Sequence, residues 1–254
     1  GTPVKPFLQG LTIALVMAFA PVASAQSLDQ AKIAGAIKAK DALLALGKDA
    51  YQTGRPPRQS DPKIDALLNT ALQLDFVPLD TSLPRSEFGN ILTLLTSVLQ
   101  VGTIYITAGT GTPDLTKASP AQVDRNTVKF APEIGRYIDA QLRISKVLIH
   151  CLVEAMAADP AAFQNPQTAA GLQQMRAGTA QTVNGVLDTV AIEGLDDTWR
   201  RQRIAALAQF APWAAKFVSE QDVQAIRDHT ARVAALKPAL ANDVKPVFLA
   251  MKKK

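Results

Sequence analysis

The residues most capable of nucleophilic chemistry in this sequence are His150 and Cys151. They are adjacent, and they are the single cysteine and one of the two histidines of the chain. A thiolate is a strong nucleophile when a neighbouring base takes its proton. Adjacent residues on a helix, however, point about 100° apart, so these side chains do not face each other. We therefore expect a buried, unreactive thiol, with an intermolecular disulfide as the alternative. His150 is expected on the polar, solvent-facing side of the helix, with Asp139, Arg143, Lys146 and its i,i+4 partner Glu154.

The second histidine and the acidic residues form no recognisable metal site. His229 follows Asp228 on a segment with an apolar buried face, so we expect a solvated side chain. Zinc requires three or four Cys, His or carboxylate ligands at suitable spacing. The pair Asp196-Asp197 lacks the alternating oxygen ligands of a calcium loop. The sequence therefore predicts no metal and no cofactor.

Two further patterns resemble anion sites. Residues 109–111 are glycine-rich but lack the Lys and Ser/Thr that must follow the last glycine of a phosphate loop, so a turn is predicted. Asp196 and Asp197 are each followed four residues later by an arginine, the favourable order for ion pairs on a helix. We expect a solvated, self-neutralising helix start here, with an anion site formed by Arg200 and Arg201 as the alternative.

The most unusual pattern is a glycine every seven residues in the segment after Pro166. These glycines fall on one face of the predicted helix, and each costs about 1 kcal/mol relative to alanine. Such a face is typical of close packing between two helix backbones. Alternatively it lines a polar cavity, for which the candidate ligand-binding residues are Gly171, Gln174, Gly178, Gln181 and Gly185.

Helix start signals occur along the whole chain. Four dipeptides place a capping side chain directly before a proline, at Asp61-Pro62, Ser119-Pro120, Asp159-Pro160 and Asn165-Pro166. The capping side chain accepts from a free N–H of the first turn, and proline at the first helical position loses only an N–H that would be unpaired. Four such starts predict an all-α protein.

Apolar residues at intervals of three and four agree with this prediction. They predict helices over about 28–51, 88–100, 133–158, 166–192, 199–210 and 220–236, and a short final helix from 239 that Pro246 interrupts. Residues 101–108 alternate as a strand would, but no second segment alternates as clearly. We favour a helix that ends near Gly109 over an extended loop. The sequence thus predicts a helical bundle of about seven or eight helices.

Residues 1–25 have the features of a cleaved secretory signal peptide. Lys5 precedes an apolar run over 7–19, and small residues at 23–25 allow cleavage before Gln26. A membrane anchor is the weaker alternative because the apolar core is shorter than the roughly 20 residues of a membrane span. We therefore expect a periplasmic or secreted protein with no transmembrane anchor after cleavage.

Charge and composition exclude one class of partner. The chain has 27 basic and 22 acidic residues, and signal cleavage removes Lys5 alone among them, which leaves a mildly positive protein. The basic residues are scattered, and aromatic residues do not alternate with them, so nucleic acid is not an expected partner.

The predicted domains are the signal peptide at 1–25, an N-terminal helix with a Pro/Gly-rich linker at 26–60, and a helical bundle at 61–254. Because no activated nucleophile or metal-bound water is visible, we expect an exported, non-catalytic binding or scaffolding protein of the bacterial cell envelope. Its partner would be an envelope protein or a small molecule, and an oligomer is compatible with the sequence. One alternative is a periplasmic small-molecule or lipid-binding protein with a cavity at the glycine helix. Another is an enzyme whose carboxylates and arginines meet only in the folded chain.

Overall fold

A computed structural model describes residues 28–252, which form ten α-helices and no β-strand in that range. The predicted all-α fold is confirmed, with slightly more helices than the predicted seven or eight. The predicted signal peptide lies outside the described residues. The helices are α1 (Gln30–Leu46), α2 (Ala50–Thr53), α3 (Pro62–Leu72), α4 (Phe88–Ile106), α5 (Pro120–Lys129), α6 (Ala131–Ala158), α7 (Pro166–Val190), α8 (Asp197–Phe217), α9 (Glu220–Leu236) and α10 (Ala241–Ala250).

The predicted helix starts are present. The side chains of Asp61, Ser119 and Asn165 accept backbone N–H groups at the beginning of α3, α5 and α7. Asp159 caps a short 3-10 helix instead of an α-helix. These signals are predictable because a cap and its N–H partners are neighbours in sequence.

Two helix ends differ from the prediction. The N-terminal helix predicted over 28–51 is divided, because α1 ends at Gly47 and a new short helix begins at Ala50. Pro246 does not interrupt the final helix but lies inside α10. Proline leaves the carbonyl four residues earlier without its helical partner, and Asn242 at that position is exposed, so water can replace the lost bond.

Residues 101–106 continue α4, so the helix favoured for this segment is confirmed. The segment Arg85–Ile106 is long and apolar enough to cross a membrane, but most of it is buried inside the described bundle, as is typical of a core helix. The turn predicted at 109–111 is also present, with Gly109 and Gly111 at positive φ.

The central helix is α6, whose 28 residues pack against α4 on one side and α8 on the other. α1 packs on α3 and α4 and contributes Ala36 and Leu43 to the same hydrophobic core. The segment between α2 and α3 is held to this body, because the Tyr105 hydroxyl donates to the Pro57 carbonyl at 2.7 Å. α7, α9 and α10 form the remaining layer around α8.

Candidate functional site

A cleft of about 660 Å³ lies where α3, the loop after it, α6 and α8 meet. Its apolar lining includes Leu68 and Leu72 of α3 and Ala206 and Phe210 of α8. Leu68, Leu72 and Phe210 are buried behind the wall, so the accessible apolar surface comes mainly from Ala206 and from Leu79 of the loop after α3. We call it the α3/α6/α8 cleft. Its volume is in the range of pockets that hold small molecules, about 300–1,000 Å³.

The charged side of the cleft comes from one stripe of α6. Arg136, Asp139, Arg143 and Lys146 are spaced by three or four residues, which places them on the same side of the helix. Three of them belong to the stripe that the sequence predicted to face solvent. That prediction is incomplete, because α3 and α8 stand on either side of the stripe and enclose it.

Asp139 is paired with Arg203 of α8. Arg203 Nη2 donates to Asp139 Oδ2 at 2.9 Å, and its Nε lies 2.9 Å from Oδ1. Burial raises the pKa of the Asp139 carboxyl to about 6, although the Arg203 charge acts in the opposite direction. The side chain is still 43% exposed, so solvent protons reach it. Asp139 is therefore a carboxyl that changes charge slightly below neutral pH.

A glycine makes this ion pair sterically feasible. Gly135 lies one turn before Asp139, and a Cβ at this position would collide with the Arg203 guanidinium and the Trp199 indole nitrogen. The indole N–H donates to the Ala131 carbonyl at 2.7 Å. α8 can therefore approach α6 closely enough for Arg203 to lie across it.

Arg136 is held in a polar network at the α3 side of the cleft. Its Nη1 donates to Asp65 Oδ1 at 2.7 Å and to Gln59 Oε1 at 3.1 Å, and its Nη2 donates to Asn69 Oδ1. Because a carboxylate and two amide oxygens already accept from this guanidinium, Arg136 joins the linker, α3 and α6 and has little capacity left for a ligand.

Arg143 and Lys146 are less completely satisfied. Arg143 Nη2 donates to the Val77 carbonyl at 3.1 Å, but its buried Nε has no hydrogen-bond partner among the described residues. Lys146 is only 14% exposed, and its ion-pair partner is Asp80 Oδ1 at 3.9 Å, on a side chain that is 97% exposed. Because the Asp80 carboxylate is so exposed, this ion pair contributes less than about 1 kcal/mol to stability. These two cations form a positively charged region next to apolar surface.

This arrangement suits the binding of a molecule that is partly apolar and partly polar. A carboxyl with a pKa near 6 beside arginines also fits the fold-assembled enzyme that the sequence left open. The described residues that line the cleft include no Ser, Cys, His or Tyr, and the groups there that could act as nucleophiles are the Lys146 amine and the carboxylates of Asp75, Asp80 and Asp139. Across residues 28–252, no group of three or more His, Cys, Asp or Glu side chains is placed to hold a metal ion.

The five residues predicted to bind a ligand lie elsewhere, on α7. Gly178 and Gly185 are buried, whereas Gln174 and Gln181 are exposed, and Gly171 is half-buried. None of the five lines the α3/α6/α8 cleft. α7 packs against α8 and α9, so its buried glycines lie in helix packing and apart from the two glutamines. A ligand site on α7 stays a prediction.

The residues of the predicted Cys-His pair are both inside the protein. Cys151 is buried and free, as expected, and burial raises the pKa of its thiol to about 11. The expectation that His150 is a surface residue is wrong, because α8 covers this side of α6. The His150 ring stacks on Trp213, with centroids 3.9 Å apart. Its Nε2 lies 3.6 Å from Glu154 Oε1, so the predicted i,i+4 contact is present.

The second histidine is also less exposed than predicted. His229 of α9 lies against α7, with Nδ1 2.7 Å from Asn184 Oδ1 and Nε2 2.9 Å from Asp188 Oδ1. Its side chain is 13% exposed, so the predicted solvated flank is wrong. No local pattern predicts this contact, because His229 and Asn184 are 45 residues apart along the chain.

The helix start at 196–201 is only partly the predicted solvated cluster. Asp196 caps α8 by accepting from the Trp199 N–H at 2.8 Å. Arg200 is buried and donates to the carbonyls of Val190 and Ile192, which close the end of α7. Its guanidinium is therefore used in helix packing and is not an anion site.

Sequence reasoning missed Arg136 and Phe210 as parts of the cleft and Arg203 as the partner of Asp139. Arg203 and Phe210 belong to another helix, and their proximity to α6 has no local pattern. The one usable signal was Gly135 inside a long helix, because a glycine at such a position indicates that another side chain packs closely against the backbone.

Comparisons of the chain with protein-family models, with curated proteins and with solved structures find no match. The structure itself defines the class, an all-α protein with a cleft that is lined partly by apolar and partly by charged residues.

Proposed function

We propose that this chain is an exported binding protein that holds a small amphipathic molecule in the α3/α6/α8 cleft. The observation that supports this most directly is a cleft of about 660 Å³ that is lined both by the apolar residues Leu79 and Ala206 and by the cations Arg143 and Lys146. Ligand pockets typically combine a mainly apolar lining with a few polar groups. The proposal keeps the non-catalytic binding role expected from the sequence and places it away from α7. Export rests on the signal-like residues 1–25.

Asp139 supports a second candidate, an enzyme that uses this carboxyl as a general acid or base. A carboxyl with a pKa of about 6 in a cleft is well matched to proton transfer near neutral pH. We place this candidate second because Asp139 is already paired with Arg203.

The binding proposal is tested with N-phenyl-1-naphthylamine, a neutral fluorescent probe that brightens in apolar sites. We expect saturable binding to the protein. Ala206→Trp places a large side chain in the cleft and should weaken binding at least ten-fold. The matched control is Ala205→Trp, because Ala205 is the preceding residue of α8 and is exposed. Equal binding by both variants, or no binding by the wild-type protein, would contradict the proposal.

A further inference from the structure

We infer that the ligand of the α3/α6/α8 cleft is an anionic amphiphile, with its negatively charged headgroup between Arg143 and Lys146 and its hydrocarbon part against Leu79 and Ala206. This inference rests on the proposed function and adds the chemical class of the ligand.

The charges that line the cleft differ in how they are neutralised. Asp139 is matched by Arg203, and Arg136 is matched by Asp65. Each of these contacts is 2.9 Å or shorter, so neither pair leaves much charge for a ligand.

Outside these two ion pairs, the charged residues that line the cleft are two carboxylates and two cations. Asp75 and Asp80 are exposed on the loop after α3, where water and salt screen them. Arg143 and Lys146 are mostly withdrawn from water on α6. The less screened charges are therefore the positive ones, and the inner part of the cleft favours an anion.

The hydrogen-bond donors point to the same conclusion. The ammonium group of Lys146 is only 14% exposed and has its carboxylate partner only at 3.9 Å. Leaving a buried charged donor unsatisfied is unfavourable, and an anionic oxygen is its strongest acceptor. A sulfate, phosphate or carboxylate headgroup would supply such oxygens.

A small inorganic anion would use only part of this site. The cleft is far larger than a single sulfate ion, and its lining includes the partly exposed apolar side chains of Leu79 and Ala206. Removing this apolar surface from water is favourable in proportion to the area covered. A hydrocarbon chain attached to the headgroup therefore adds affinity that a free ion cannot gain.

The experiment compares ligands with the same ten-carbon chain and different headgroups. Decyl sulfate, decyl maltoside and decyltrimethylammonium displace the bound naphthylamine probe below their micelle-forming concentrations, and sodium sulfate is tested alongside. We expect decyl sulfate to bind at least ten-fold more tightly than decyl maltoside and decyltrimethylammonium to bind most weakly. Sodium sulfate alone should leave the probe bound.

Charge-removing variants assign the preference to the two cations. Lys146→Gln and Arg143→Gln should each weaken decyl sulfate binding about ten-fold and leave decyl maltoside binding unchanged. Lys146→Gln is the safer variant, because Arg143 also holds the Val77 carbonyl. The matched control is Lys38→Gln, which removes an exposed charge on α1 and should change nothing.

The possible failures are distinguishable. If the neutral probe binds in the cleft but decyl sulfate is no better than decyl maltoside, the anionic class is wrong and the proposed function stands. If sodium sulfate competes as well as decyl sulfate, the ligand is not an amphiphile. If the neutral probe does not bind, both the proposed function and this inference are overturned.

Discussion

Asn126 offers a sharp test of how the end of α4 is built. This side chain of α5 is buried, and its Nδ2 donates to the carbonyls of Ile106 at 2.8 Å and Ala108 at 2.7 Å. Ile106 is the last residue of α4 and Ala108 lies two residues later, so the helix itself offers no donor to either carbonyl. The perturbation is Asn126→Ala, which removes both bonds without adding bulk.

The expected loss follows from the two carbonyls left behind. Each buried acceptor without a partner costs about 1–3 kcal/mol, and a small movement of α5 or entry of water would recover part of that. We therefore expect Asn126→Ala to lower the free energy of unfolding by about 2–4 kcal/mol. This is a large share of the 5–15 kcal/mol that is typical of a whole domain.

Urea denaturation followed by far-ultraviolet circular dichroism measures this loss. The midpoint should move to lower urea while the slope of the transition stays the same. Asn242→Ala is the matched control, because Asn242 is exposed on α10 and its removal should change stability by less than about 0.5 kcal/mol. A loss below about 1 kcal/mol for Asn126→Ala would refute the reasoning, since the two carbonyls would then be satisfied without this amide.

Three further predictions concern the cleft and α6. Because Asp139 with its pKa of about 6 becomes neutral on acidification, the cleft loses a negative charge, and affinity for decyl sulfate should rise several-fold from about pH 7.5 to 5.5 in the displacement assay. The sulfate stays ionised throughout, and Asp139→Asn should abolish the rise. Gly135→Ala should lower the free energy of unfolding by about 1–3 kcal/mol because its Cβ collides with Arg203, whereas Gly35→Ala in α1, where the space is open, should not destabilise. Cys151, buried with a pKa of about 11, should react with Ellman's reagent only after denaturation, and rapid reaction of the folded protein would contradict its burial.

Much of the helical architecture was predictable because its signals are local. Ser219 begins α9 at the predicted residue, since the cap and the N–H group that it accepts from are three residues apart. The burial of Cys151 was predictable for a similar reason, because the apolar stripe of a helix is visible in its own sequence. Helix ends were less accurate. At Gly47 the chain turns while its backbone N–H still donates to Leu43, and at Pro246 the helix continues because solvent can replace the missing bond.

Which polar residues face solvent was not predictable from the sequence. His150, His229 and Arg200 lie on stripes with polar or charged neighbours, yet each is covered by another helix. A polar stripe indicates that a helix face is not core, but it does not show whether a neighbouring element encloses that face.

By itself, the sequence determined an all-α protein, the places where most helices begin and the burial of its one thiol, because these depend on contacts within a few residues. The tertiary structure decided the α3/α6/α8 cleft and the pairing of Asp139 with Arg203, whose atoms meet across 64 residues of chain. It also decided that Arg143 and Lys146 stand beside apolar surface. Such a site depends on how separate helices pack, and no spacing within one helix encodes that.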